Sequence, residues 1–362
     1  MKLILTIALH SDAAARTDRL CAANVGALRR AGIHCPATER DDLGRDVLAD
    51  AVMGGRRTEA SEYMDRVRRA AAKAGCSTVV LGSEALYAVS TLLSLSRSEE
   101  PNAEDVWARE TSAIQALRDA CGELAPAVVA YLCPQDEFAV SRYEELVMAP
   151  SGIDLTCDDF VASALPAFDY DRQFALWEAA FGVDRVKLRN VACDRVVDDF
   201  RETVLEGRCG GLVPGDGICR RPARDVVEVK RIFNRSNPDD DLASVAARAY
   251  RAIANDLPDA TGHHVYAPET ARCETFAAFE AGNVALAKRH GLAPLPVVGA
   301  SPAPSYPELT VDRAVEVYLR YRRVMDGRDL RRQLAARRLA TLMAKRLPLG
   351  KSLARLVGRV AG

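Results

Sequence analysis

Apolar runs alternate with amphipathic stretches along this chain. Residues 2–9 form a continuous apolar run rich in Leu and Ile, the pattern of a strand buried on both faces. Residues 13–31 then place Leu20, Val25, Leu28 and Ala31 on or near one helical face, with Gly32 as the stop. Short apolar segments at 32–36, 77–81, 127–133 and 185–191 predict further strands. Periodic segments at 61–74, 107–121, 134–148, 169–181, 194–205, 242–255 and 269–290 predict helices. Pro134 heads its helix where a missing N–H costs nothing, and Gly75 and Gly182 close theirs. Phe174, Trp177 and Phe181 share one helical face and read as core. Strands and helices alternating at this spacing predict an α/β fold, a three-layer parallel sheet with helices on both faces. Such sheets bind ligands at the carboxyl ends of their strands, so the informative loops follow Leu9, Leu81 and Cys133.

Length and composition refine this picture. The 362 residues accommodate one α/β domain over 1–325, with a helical insertion at 150–182, a Gly-rich flap at 206–222 and a basic tail at 326–362. The net charge of −1 gives no reason to expect nucleic acid. Residues 1–9 lack the flanks of a secretory signal, and no apolar stretch reaches the roughly 18 residues of a membrane span. A cytoplasmic location is therefore expected. The ten cysteines include no C-x-x-C pair and no zinc-like spacing, so most are expected to be buried, reduced thiols. His263 and His264 are neighbours, which point apart on most backbones, so no metal site is expected there.

From Arg328 to Gly362 the tail carries ten basic residues and one acid, Asp329, with leucines interleaved at roughly helical spacing. Such a segment reads as a helix for an anionic membrane surface or a partner, at the inner membrane, or as a solvated terminus. Gly350-Lys351-Ser352 spells the end of a phosphate-loop motif, but Lys345 stands where its first glycine must be.

Several segments, in order, resemble the bacterial sulfotransferase-like family associated with polysaccharide modification. LCAANVGALRRAGI at 20–33 is similar to the helix after that family's phosphate loop. VVLGSEAL at 79–86 is similar to its strand ending in Ser-Glu, and VVAYLCPQDEFAVSRY at 128–143 to a strand, a Gln-Asp pair and a helix with Ser and Tyr. Residues 170–200 carry a W-x-x-x-F-G turn, a strand and Val-Asp-Asp-Phe, and FAAFEAGNVALAKRH at 276–290 resembles the closing Asn-containing helix. The resemblance covers residues 1–295 and implies a P-loop, sulfotransferase-like fold. It implies 3′-phosphoadenosine 5′-phosphosulfate (PAPS) as donor and a carbohydrate or other hydroxyl-bearing small molecule as acceptor.

That donor makes physical demands. Its phosphosulfate should rest on backbone N–H groups at a helix N-terminus, with a Lys and a hydroxyl to neutralise developing charge. Ser11 stands where the resemblance implies the Lys, Ala13 replaces a glycine, and Ala14 and Ala15 replace hydroxyl residues. Cys133 stands where an Arg should grip the 3′-phosphate, while Ser141 is retained with Arg142 beside it. Arg16 or Arg19 starts a turn late but is long enough to reach back and substitute. Glu84 is either the base that deprotonates an acceptor or a carboxylate favouring the next helix. His10 is either a base or stabiliser of the leaving phosphate, or a loop histidine bonded to backbone. Ser141 is a phosphate ligand or a tolerated helix hydroxyl, and Gln135 and Asp136 are expected to be structural. The sequence thus leaves two readings: a PAPS-dependent sulfotransferase, or a degenerate, non-enzymatic homologue acting at a membrane surface or on a partner.

Overall fold

The computed structural model describes residues 1–9, 11–36, 45–82, 86–87, 103–190, 195–213, 222–236, 240–256, 266–299, 306 and 308–326. The described residues group into two compact units. The first comprises Met1–Ala139, Ser163–Cys219 and Cys273–Gly299, and the second Val140–Ala162, Arg220–Arg272 and Ala300–Gly362.

The first unit is built on a five-stranded sheet. Its order along the chain begins with β1 (Lys2–Ala8), α1 (Ser11–Ala23), α2 (Val25–Arg30), β2 (Ile33–His34), α3 (Arg45–Met53), α4 (Arg57–Lys73) and β3 (Thr78–Gly82). Then come α5 (Ala103–Cys121), β4 (Ala127–Leu132) and α6 (Gln135–Met148), which runs on into the second unit. The strands lie in the order β2-β3-β1-β4-β5, with β5 at Val186–Asn190, and every pairing is parallel. The chain is therefore α/β with an all-parallel sheet, as the alternating pattern predicts.

Parallel strands are buried on both faces, and the side-chain parity shows it here. Ile4, Val80, Val129 and Tyr131 share one core cluster with Ala13, Ala14 and Leu20 of α1. Val196 and Phe200, from α9 (Val196–Thr203), complete it. Leu3, Leu5, Val79, Leu81, Val128 and Ala130, of opposite parity, are equally buried. Between β4 and β5 the chain forms α7 (Cys157–Ser163) and α8 (Tyr170–Phe181), and Asp169 caps α8 by accepting from the Arg172 N–H at 3.0 Å. Gly182 follows at φ 92°, a conformation that favours glycine. Trp177 is fully buried and stacks on Phe181 with ring centroids 5.4 Å apart.

The predicted helix over 13–31 is two helices. Asn24 breaks it because its side chain satisfies backbone groups that helix continuation would otherwise use. Its Nδ2 donates to the carbonyls of Leu20 (2.7 Å) and Val213 (2.8 Å), and its Oδ1 accepts from the Val213 N–H at 2.9 Å.

The second unit is helical. It holds the end of α6, α7, α10 (Arg224–Asn234), α11 (Asp240–Asp256) and α14 (Val311–Asp326). Between α11 and α14 the chain passes through α12 (Glu269–Phe276) and α13 (Glu280–His290), a split of the single helix predicted at 269–290 by the 3-10 turn Ala277–Phe279. The core of the second unit is made by Val226, Val229 and Phe233 of α10, Ala246, Tyr250 and Ile253 of α11, and Val317, Tyr321 and Met325 of α14. Tyr250 and Tyr321 stack with centroids 5.0 Å apart.

Gly152 shows how tightly this unit is packed. A Cβ there would press on the Val147 carbonyl and come within 2.6 Å of Asn234 Nδ2 and 2.8 Å of the Leu146 carbonyl. Two of these neighbours are backbone and cannot swing away. Gly152→Ala is expected to cost about 2–3 kcal/mol of stability, the range for overpacking. Gly210→Ala, where a Cβ meets nothing within 4 Å, serves as the control in the same denaturation series. Equal costs at the two positions would sink the packing argument.

Candidate functional site

The topology itself selects a site. From β1 the chain crosses toward β2 on one side, while from β4 it crosses toward β5 on the other. Connections leaving neighbouring strands in opposite directions open a crevice between them at the carboxyl edge. The crevice therefore lies between the loops after β1 and β4, and the backbone joins them where the Leu9 N–H donates to the Tyr131 carbonyl at 3.1 Å. His10 lies in the first of these loops, outside the described residues, as do Ser83 and Glu84 after β3.

Ser11 is the first residue of α1, directly after the β1 loop. Behind it Ala13 and Ala14 face the sheet and are buried. Thr17 closes back on its own helix, donating to the Ala14 carbonyl at 2.8 Å. Arg16 is half-buried, and its Nε is enclosed without a hydrogen-bond partner; so is Arg19 Nη2 one turn on. Gly82 lets α1 approach β3, since a Cβ there would stand 3.0 Å from Thr6 Oγ1 and 3.6 Å from Asp18 Oδ1.

At the end of β4, Cys133 is buried and its carbonyl accepts from the Tyr170 hydroxyl at 3.0 Å. Gln135 and Asp136 do structural work. Gln135 and Asn283 of α13 form a reciprocal amide pair, at 2.7 and 3.0 Å, and Asn283 Nδ2 also meets the Leu295 carbonyl at 3.0 Å. Asp136 Oδ1 accepts from the Gly299 N–H at 2.8 Å, and the Asp136 N–H donates to the Val297 carbonyl at 3.3 Å. Together they pin the segment after α13 to the start of α6. A cavity of about 10 Å³ sits beside this pair, lined by Leu132, Asn190, Asn283, Leu286, Leu292 and Leu295. It has room for about one water and not for a nucleotide.

Ser141 is buried in the part of α6 that belongs to the second unit. Arg142 follows it there and is engaged, its Nη1 donating to Glu145 Oε2 at 2.6 Å.

One cluster at the carboxyl edge escaped the sequence reading. Arg189, near the end of β5, forks onto Asp199 of α9, with Nε 3.0 Å from Oδ1 and Nη2 on the same carboxylate. The Tyr131 phenol on β4 is pushed far above its ordinary range by burial and then by the Asp199 carboxylate. The only sequence signal was Val-Asp-Asp-Phe at 197–200, which fixes an acid on the helix but not its partners on two strands. The arrangement supplies a bidentate charge pair and a neutral hydroxyl, the makings of a rigid anchor and not of a proton-transfer pair.

Among the described residues, no group of three or more His, Cys, Asp and Glu side chains could hold a metal ion, and no helix is long and apolar enough to cross a membrane. His263 and His264, residues 214–221 of the flap and the tail from 327 onward lie outside the described residues. Comparison with protein families, with curated proteins and with solved structures finds no match to this chain.

Proposed function

We propose that this chain is a sulfotransferase-like protein that no longer carries out PAPS chemistry and serves as a non-enzymatic binding subunit. One observation carries this reading: most side chains at the positions where the resemblance implies donor contacts are neutral and buried, or already engaged. Ala13, Ala14 and Cys133 are buried, and Arg142 is paired with Glu145. The sulfotransferase-like part of the reading draws support from β1 at the middle of a parallel sheet, feeding straight into α1, where a phosphate-binding loop would stand.

A hydrogen bond to a charged group contributes about 1.5–3 kcal/mol, so each lost anchor weakens donor binding roughly 10- to 100-fold. Calorimetric titration with adenosine 3′,5′-bisphosphate, the desulfated donor, should show no binding up to millimolar concentration. The binding role would then fall to a protein partner, or to an anionic membrane surface met by the basic tail.

A second reading is favoured by the enclosed, unpartnered Arg16 Nε and Arg19 Nη2. In it, α1 still receives PAPS, and Glu84 or His10 deprotonates a carbohydrate or other hydroxyl acceptor. Micromolar binding of the bisphosphate that disappears in Arg16→Ala is the mark of that reading and would overturn the first.

A further inference from the structure

Three thiols meet on the first unit where α1, β2 and the segment after α9 come together. Cys21 on α1 and Cys35 just after β2 are buried in one core cluster, and Cys209 packs against it while remaining half-exposed. The thiols of Cys21 and Cys35 are hydrogen-bonded to each other, and Cys209 lies close enough to both to interact with them electrostatically. None of the three is in a disulfide. The segment bearing Cys209 is already docked on this surface. Arg208 Nη1 donates to Thr78 Oγ1 at 3.2 Å, Arg201 Nη2 to the Leu212 carbonyl at 3.0 Å, and Asn24 clamps Val213 through two hydrogen bonds.

We propose that Cys209 and Cys21 are a redox-modifiable pair, joined by a disulfide when the protein meets a hydroperoxide. Cys209 is the entry thiol because it alone of the three is open to solvent. Its thiolate attacks the peroxide oxygen, forming Cys209 sulfenic acid and releasing hydroxide. The Cys21 sulfur then displaces water from the sulfenic sulfur and forms the S–S bond. The two thiols together lose two protons and two electrons, and hydrogen peroxide is reduced to two waters. The product ties residues 205–213 to α1, and thereby to the element that opens the carboxyl-edge crevice. The proposal stands independently of whether the crevice binds a nucleotide.

Burial raises the Cys209 thiol above its ordinary value, while Arg208 opposes the rise. Asp18 and Cys21 face Cys35 and also disfavour a thiolate there. The reaction is accordingly slow near neutrality and accelerates with pH, because the thiolate is the attacking form.

The full chain, treated with hydrogen peroxide at pH 7 and pH 9, is blocked with one alkylating reagent, reduced and labelled with a second. The tryptic peptide that begins at Cys209 also carries Cys219, so the experiment is run on Cys219→Ser. The expected result is a 21–209 crosslink that forms at least several-fold faster at pH 9, vanishes in Cys209→Ser and persists in Cys35→Ser. Should Cys21→Ser fail to fold, Cys209→Ser at its half-exposed position carries the test alone. A 21–35 crosslink, a 209 crosslink to any other cysteine, or Cys209 oxidised without a partner would each overturn the proposal.

Discussion

Arg224→Met is expected to cost about 3–5 kcal/mol, the penalty for leaving one partner of a buried ion pair alone. Arg224 opens α10 in the second unit and pairs with Glu144 of α6; the two side chains are 6% and 5% exposed. Its guanidinium also lies 3.9 Å from the centroid of Tyr266, a cation–π contact in a desolvated setting. Around the pair the other charges are matched. Tyr143 donates to Glu228 at 3.1 Å, Arg231 donates to Glu228 at 2.8 Å, and Arg313 meets Asp225 at 3.1 Å. Three acids and three guanidinium groups thus balance one another, so the cluster reads as scaffold, and removing one member leaves a buried carboxylate. The double variant Arg224→Met with Glu144→Leu removes both charges and should fall within about 1.5 kcal/mol of the wild type. Both tryptophans, Trp107 and Trp177, lie in the first unit, so the readout is amide hydrogen exchange along α10 together with far-ultraviolet circular dichroism. A single variant that loses less than about 1 kcal/mol, the worth of an exposed pair, would show that the pair is not desolvated.

The second large effect is a pH dependence centred on Lys230. Its side chain is wholly buried on α10, and burial, aided by the nearby Arg251 charge, pushes its ammonium pKa down to about 7. Its Nζ donates to the Ala149 carbonyl at 3.0 Å and to Asn234 Oδ1, two acceptors that match the two N–H bonds of a neutral amine. The sign follows from proton counting. Between about 7 and the unfolded value of 10.5 the unfolded chain holds a proton that the folded chain does not. Stability from this group therefore rises with pH across that window and is flat below it. Measured as wild type minus Lys230→Met, it should climb by about 1.4 kcal/mol per pH unit and reach about 4 kcal/mol by pH 10. Taking the difference between the two proteins removes the tyrosines, whose burial raises their own values in the same core. A difference profile that is level from pH 7 to 10 would mean that Lys230 stays protonated in the fold.

The chain alone determined the class of fold, because strands buried on both faces must be apolar without alternation and crossover helices must be amphipathic. The strands at Lys2–Ala8, Thr78–Gly82, Ala127–Leu132 and Val186–Asn190 follow from that rule, as does the carboxyl edge as the place to look. It also carried the identity of the side chains at the proposed donor positions, since Cys133 or Ala13 is what it is before any folding. It did not show the helices Arg45–Met53, Arg224–Asn234 and Val311–Asp326, and it gave Cys157–Ser163 only as part of a helical insertion at 150–182. Arg224–Asn234 buries the charged Arg224 and Lys230 beside its apolar residues, a placement that a pattern of apolar positions does not assign.

Tertiary structure decided what each polar residue is for. Gln135 could be assigned to Asn283 only when a partner 148 positions away was brought beside it. The same holds for Arg189 with Asp199 and Tyr131, for Arg224 with Glu144, and for the three thiols at Cys21, Cys35 and Cys209. Local sequence reports a residue's own chemistry and the few neighbours that its helix or strand period supplies. Whether a charge is desolvated, a thiol has a partner or an amide has a ligand depends on contacts made across the fold, and these exist only once the chain has closed on itself.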